Sequence, residues 1–180
     1  METERTRLRG WRADDVDRVL DIYSRWEVSK WLGAEPKVMQ TREQAEQFVE
    51  RVIARELRRD ATGFWAVERK ADQVVAGTLL LMPLQGGERD EVEIGWHFHP
   101  DSWGQGLASE SARALLTWGF EHGLDEILAV VRPGNAASMA VCRRIGMTHL
   151  GRTSTYYATE LELFRINRPS TAEVATFVHI

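Results

Sequence analysis

The stretch His99-Pro-Asp-Ser-Trp-Gly-Gln-Gly-Leu-Ala-Ser109 places two glycines between the end of an apolar strand pattern and the start of an apolar helix pattern. Residues of these types bind anions through the main chain. Gly104 and Gly106 let backbone N–H groups approach a phosphate, and the unpaired amides and partial positive charge at a helix N-terminus stabilise it. No lysine is required, so Trp103, Gly104, Gln105, Gly106, Leu107, Ala108 and Ser109 form a candidate cradle. A P-loop is excluded because Gly-Lys-Ser/Thr is missing. Gly104-Gln-Gly106 also begins a dinucleotide fingerprint with Asp125 downstream. That reading fails because Ser109 stands at its sixth position, Asp125 opens the next strand, and no parallel βαβ array precedes it. A glycine-rich turn with a purely structural role is the bland alternative.

These residues need elements to hold them. Thr6–Arg9 alternates as a strand, and Asp14, a candidate N-cap, precedes Val16, Val19, Leu20 and Tyr23 at helical spacing. Residues 26–37 have no clean period and read as an irregular connection with a helical turn, whose Trp26 and Trp31 either pack or line a substrate mouth. Thr41 and Gln44 make a capping-box pattern ahead of the stripe Ala45, Phe48, Val49, Val52, Ile53 and Leu57. Residues 64–68 and 74–81 are β-rich runs at hairpin spacing, and 91–98 alternate as a third strand. A helix over 106–122, a strand over 126–131 and a helix from Asn135 to a stop at Gly146 follow. Two strands within 147–166, around a turn near 151–155, complete the order.

At 180 residues the chain reads as one domain with a core over about 6–166 and a loosely held tail over 167–180. Its 43% apolar and 28% charged residues suit a globular core. No run approaches the roughly 18 apolar residues of a membrane span, and the N-terminus is polar, so a cytoplasmic protein is expected. The single cysteine, Cys142, forms no internal disulfide, and no Cys/His spacing suits zinc. A net charge of −4 gives nucleic acid no global attraction. The run Arg51, Arg55, Arg58, Arg59 alternates with Glu50 and Glu56 as a solvated helix face does.

Glu93-Ile-Gly-Trp-His-Phe-His-Pro-Asp-Ser-Trp-Gly-Gln-Gly-Leu-Ala-Ser-Glu resembles the acetyl-CoA-binding motif of the GNAT superfamily. Val131-Arg-Pro-Gly-Asn-Ala-Ala-Ser-Met-Ala-Val-Cys-Arg-Arg-Ile-Gly-Met resembles the second conserved segment of its ribosomal-protein alanine N-acetyltransferase branch. In element order the resemblance spans about 6–165. It implies an α/β (α+β) fold: a mixed, twisted sheet of six or seven strands flanked by about four helices. The sheet would splay between the strand ending at Phe98 and that ending at Val131, with coenzyme A in the gap. It further implies pyrophosphate on the amides of Gln105, Gly106, Leu107, Ala108 and Ser109, pantetheine along the backbone of His97, Phe98 and His99, and Asn135 and Ser138 beside the coenzyme. As plain structure, Asn135 is an N-cap and Ser138 an exposed first-turn serine. Two positions depart from the pattern. Trp103 stands where many members carry Gln or Arg, although this branch often has an aromatic there. Cys142 stands where many place the tyrosine that protonates the departing thiolate.

The resemblance thus implies an N-acetyltransferase moving acetyl from acetyl-CoA to a primary amine, first of all a protein or peptide N-terminal α-amine. An antibiotic or polyamine acceptor is the alternative, and a non-catalytic acyl-CoA-binding module is an alternative of another class. No metal, nucleic acid or membrane is expected, and the chain is a monomer or homodimer. An α-amine with a pKa of ~7.7–8.0, or a lysine amine of ~10.4, must lose its proton before attack. Glu93 is the candidate base, directly or through water, with His97 and His99 as alternatives and a surface strand carboxylate as its plain role. Two histidines without a third ligand do not make a metal site. A main-chain N–H near Phe98 can serve the tetrahedral oxyanion. Cys142, with an ordinary thiol pKa of ~8.5, either shares the leaving group's proton or is a small packed hydrophobe. Tyr156 and Tyr157 are other candidate acids. Trp26, Trp31 and the connection 84–90 are expected to bound the acceptor mouth.

Overall fold

A computed structural model describes residues 1–56, 62–87 and 90–169. Strands β1 (Thr6–Arg9), β2 (Gly63–Arg69), β3 (Val75–Pro83), β4 (Val92–Phe98), β5 (Glu126–Val131), β6 (Thr148–Thr153) and β7 (Leu161–Asn167) form one sheet in the order β1-β2-β3-β4-β5-β7-β6. Helices α1 (Val16–Tyr23), α2 (Trp26–Ser29), α3 (Arg42–Glu56), α4 (Leu107–Glu121) and α5 (Ala136–Arg144) flank it. The sheet is mixed and seven-stranded as expected. The described helices number five rather than about four, because the stretch 26–37 contains the single turn α2.

Alternation along the strands builds two cores. Leu79, Leu81, Ile94 and Phe98 face one way, onto Leu107, Ala112, Leu115 and Leu116 of α4 and Val141, Cys142 and Ile145 at α5. Ala66 and Val75 face the other way, onto Val19, Ile22 and Tyr23 of α1 and Ala45, Val49 and Val52 of α3. Apolar residues at i, i+3, i+4 and i+7 make one buried stripe per helix, and burial of that stripe holds each helix to the sheet.

The sheet is not continuous at its centre. Strands β3 and β4 pair antiparallel over seven residues, and β5 and β7 over six, whereas the parallel strands β4 and β5 meet at the single pair Glu93↔Leu128. Beyond Glu93 the two strands part.

Local readings held where a period or a cap set them. Gln44 Oε1 accepts from the N–H of Gln40 (2.7 Å) and Thr41 (3.3 Å), and its own N–H meets Thr41 Oγ1 at 3.4 Å, so the capping box forms ahead of α3. Leu57, Arg58, Arg59 and residues 170–180 lie outside the described residues. Two details differ. Asp15, not Asp14, is the N-cap of α1 and anchors its entry, accepting from the Arg12 N–H and from both Arg9 Nη atoms at 2.8 Å each. The turn expected near 151–155 is instead a bulge inside β6 at His149/Gly151, where an extra residue bends the strand without ending it; the reversal comes between Thr153 and Leu161.

Candidate active site

Where β4 and β5 part, a cleft of about 350 Å³ opens, bordered by β3, β4, β5, the start of α5, and the loops carrying Trp31 and Tyr157. Glu93, Gly95 and His97 lie on one face of β4, spaced by two residues. Burial pushes the Glu93 carboxyl up to about 7, although the Tyr157 hydroxyl donates to its Oε1 and pulls the other way. Burial, with the Glu93 carboxylate second, raises the Tyr157 phenol above its usual range. Tyr157 and Ala158 hold φ of +54° and +50°. Left-handed backbone at residues with a Cβ costs of order 1–3 kcal/mol each, and such strain gathers at functional sites.

His97 lines the same cleft, but burial lowers its imidazole to about 4, so it is neutral near pH 7 and a poor proton acceptor. Its Nδ1 lies 3.0 Å from the Tyr23 hydroxyl, which in turn lies 2.7 Å from Thr78 Oγ1. His99 does not reach the cleft. It is 5% exposed, its Nδ1 accepts from the Asp101 N–H at 3.1 Å, and its Nε2 lies 3.2 Å from Asp21 Oδ2. Arg18 and Arg69 each meet Asp101 as well, at 2.8 and 3.2 Å. Burial opposes the Asp101 charge, yet hydrogen bonds from Ser102 and Arg18 outweigh it and hold the carboxyl below the usual range. Arg18 of α1, through Asp101, therefore ties the start of the glycine loop to α1.

The backbone of β4 corrects part of the expected coenzyme contact. His99 N–H donates to Ala76 O at 2.8 Å, so antiparallel alternation commits His97 and His99 to β3. The main-chain groups of Trp96 and Phe98 turn to the other edge, which β5 has left. Trp103 Nε1 takes the Phe98 carbonyl at 2.8 Å. The unpaired edge is thus centred on Trp96 and the Phe98 N–H, so that of the expected His97, Phe98 and His99 only Phe98 offers a backbone group to the gap.

The loop then turns through Gly104 (φ +73°) and Gly106 (φ +77°), the N-cap of α4. A Cβ on Gly104 would meet nothing within 4 Å, and one on Gly106 only Arg5 Nη2 at 3.5 Å. The space over these amides is open, as a phosphate requires. Glycine is needed for the left-handed turn itself. Arg5 braces the loop from the N-terminal arm, donating to Gln105 O (2.8 Å) and pairing with Glu110 Oε2 (2.6 Å). Ser109, in the first turn of α4, is 5% exposed, and its Oγ has no partner. Leu107 packs in the main core, with Ala108 against it. Trp103 is 48% exposed beside the turn. Asn135 Oδ1 caps α5 through the Ser138 N–H at 3.2 Å, and both residues line the cleft.

A family model described as acetyltransferase (GNAT) domain matches residues 5–148. The chain belongs to the GNAT acetyltransferase family. This acetyltransferase is 30% identical over 158 residues to the uncharacterised N-acetyltransferase YoaA of Bacillus subtilis, a match covering 87% of this chain and 86% of that protein. Its fold is similar to that of a GNAT-family acetyltransferase from Bacillus anthracis, with a TM-score of 0.77 and 24% identity over 93% of this chain and 97% of that one. It is similar also to RimL, a ribosomal L7/L12 α-N-protein acetyltransferase in complex with coenzyme A, with a TM-score of 0.75 and 20% identity over 92% and 95% of the two chains. The enzyme acetylates an acceptor with acetyl-CoA as donor.

Glu93, His97, Trp31, Asn135 and Ser138 of the acetyltransferase come together around the cleft. Trp26 does not: at the first residue of α2 it is 56% exposed and borders a separate depression with Pro36, Lys37 and Gln44, whereas Trp31 follows the helix. Cys142 is fully buried in the main core, and burial pushes its thiol up to about 12. Of the connection 84–90, Gln85 lines the cleft, while residues 88 and 89 lie outside the described set. Sequence reasoning missed Arg132, whose guanidinium at the end of β5 reaches across to the carbonyls of Gly33 and Ala34 (2.8 Å to Ala34). No signal marks that contact in the sequence. Among the described residues no cluster has a metal's ligand set, and no helix is long and apolar enough to cross a membrane.

Proposed function

We propose that the enzyme acetylates a protein or peptide N-terminal α-amine by direct attack on the acetyl-CoA thioester, with Glu93 as general base. The supporting observation is the place of Glu93: at the last closed pair of the sheet, inside the cleft, with a carboxyl titrating at about 7. A base tuned there can take the proton of an α-amine, whose pKa is ~7.7–8.0, at far less cost than that of a lysine at ~10.4. The pyrophosphate lies on the amides of Gln105 to Ser109, and the pantetheine runs along the free edge at Trp96 and Phe98. Asn135 and Ser138 flank it from the other side. Glu93 accepts the ammonium proton directly or through one water, and the freed lone pair attacks the thioester carbonyl. A β4 main-chain N–H donates to the developing oxyanion. When the tetrahedral intermediate collapses, the C–S bond breaks and the thiolate leaves with the coenzyme. Tyr157, in contact with Glu93, gives its proton to that thiolate and takes back the one Glu93 holds, after which Glu93 accepts the second proton of the attacking nitrogen and releases it to solvent; Cys142 serves as packing.

Release of free thiol from acetyl-CoA across a panel of peptides and small amines tests this reading. Peptides with a free α-amine should be acetylated at that nitrogen. Transfer only to antibiotic or polyamine acceptors would replace the acceptor, and coenzyme binding without transfer to any amine would make the chain a binding module.

A further inference from the structure

Resting on that reading, we propose that the acceptor bears a single positive charge and carries its amine on an apolar residue, so that the preferred substrates are peptides beginning with a large hydrophobic side chain rather than polycations. The face of the sheet beside Glu93 is apolar. Phe64 of β2 stands opposite Leu80 of β3, and Leu80 stands opposite Gly95 of β4; one register further, Met82 faces Glu93. A Cβ on Gly95 would meet Leu80 Cδ1 at 3.1 Å, so the glycine admits the Leu80 side chain over β4, and the hollow of the cleft beside Glu93 is walled by Phe64, Leu80 and Met82. Trp31 closes the hollow from the connection after α2.

The charges around the hollow point the same way. Glu93 is the one carboxylate among the described lining residues, and it meets Tyr157 from the β6–β7 connection and shares its strand face with the neutral His97. The guanidinium of Arg132 borders the cleft from the end of β5 and is held there by two main-chain carbonyls. One carboxylate facing one guanidinium attracts a single ammonium at the reacting position and offers nothing to a second. A polyamine or an aminoglycoside entering here would bring further ammonium groups toward Arg132 and onto apolar surface, where unpaired charge is costly. An apolar side chain next to the α-carbon instead gains by burial against Leu80, Met82 and Trp31.

The test compares kcat/KM, by thiol release, for peptides identical except at the first residue. Leu- or Phe-initiated peptides should exceed Lys- or Asp-initiated ones by at least about tenfold, the scale that differences of a few methylenes in an apolar pocket produce. Trp31→Ala should narrow that ratio severalfold while the coenzyme's KM stays near its original value. Spermidine or a Lys-initiated peptide outperforming the Leu-initiated peptide would overturn the inference and leave the transferase reading standing. A ratio unchanged in folded Trp31→Ala would overturn the apolar wall. Acetyl-CoA binding with no thiol release from any amine would overturn the reading on which the inference rests.

Discussion

As the proposed base, Glu93 would meet two opposed demands: an apolar surround that grips the acceptor's carbon, and a charge that must exist to accept its proton. Glu93→Gln keeps the shape and removes the basic oxygen, so kcat should fall by about 10²-fold or more while acetyl-CoA affinity is retained. The defect should shrink at high pH, where the amine deprotonates in solution; a pH-independent loss would make Glu93 a positioning residue instead. The same variant makes a stability prediction. Glu93 titrates at about 7 in the fold against an ordinary value of 4.5, so its contribution is most favourable below pH 4.5 and is lost as the pH rises through 7. Glu93→Gln should therefore melt a few degrees higher than the parent at pH 8 and show no such gain at pH 4; a lower melting temperature at pH 8 would show that the charge is compensated. Tyr157→Phe removes the hydrogen bond that lowers the carboxyl, so the acidic limb of kcat/KM should move to higher pH. An unmoved limb with only lower stability would reduce Tyr157 to packing. Glu93 was legible because it stands at fixed spacing before the glycine loop. Tyr157 was legible only as one of two adjacent candidates, since its pairing with Glu93 spans 64 residues and depends on two left-handed residues that no local rule predicts.

The loop between β4 and α4 is the element on which the proposed coenzyme binding rests. Gly106→Val forces a β-branched residue into φ +77° and fills the open space over the amides. Acetyl-CoA affinity by calorimetry should drop at least tenfold in a protein that still folds, because the nearest protein atom, Arg5 Nη2, lies 3.5 Å from the new Cβ on a half-exposed side chain and can move. Unchanged affinity would remove the loop from the site. Cys142→Ala tests the opposite case, an interior position of α5. It should lower stability by about 1 kcal/mol through a small cavity and leave turnover near normal, whereas a tenfold slower folded variant would make the thiol a participant. Such elements were readable where a period or punctuation is local: the stripe of α4, the capping box of α3 and the Gly-Gln-Gly turn. The sequence did not reveal which edge of β4 lies free, because alternation marks side-chain faces and only the partner strand tells which amides are spent. The same limit misplaced the reversal near Gly151, since a bulge and a turn use the same residue.

At the scale of the whole molecule, the single pair Glu93↔Leu128 is the only strand pairing among the described residues between two sub-sheets, β1 to β4 with α1 to α3 on one side and β5 to β7 with α5 on the other, with α4 packed across the seam. That seam spends little main-chain hydrogen bonding, so the edge of Trp96 and the Phe98 N–H are left to solvent or ligand. A coenzyme spanning the gap would replace the missing ladder and tie the halves together. Ligand that binds only the folded state stabilises it by mass action, about 2.7 kcal/mol at a hundredfold excess over Kd, which for a domain of this size corresponds to a melting shift of roughly 5–10 °C. Acetyl-CoA should raise the melting temperature by that amount. Hydrogen exchange should show where the stabilisation originates: the amides of Trp96, Phe98 and residues 105–109 should gain protection directly, ahead of the β3–β4 pairing, whose ladder runs unbroken from Gly77↔Phe98 to Pro83↔Val92. A thermal shift with uniform protection and no excess at these amides would place the coenzyme elsewhere, and no shift at saturating acetyl-CoA would remove the gap from the binding site altogether.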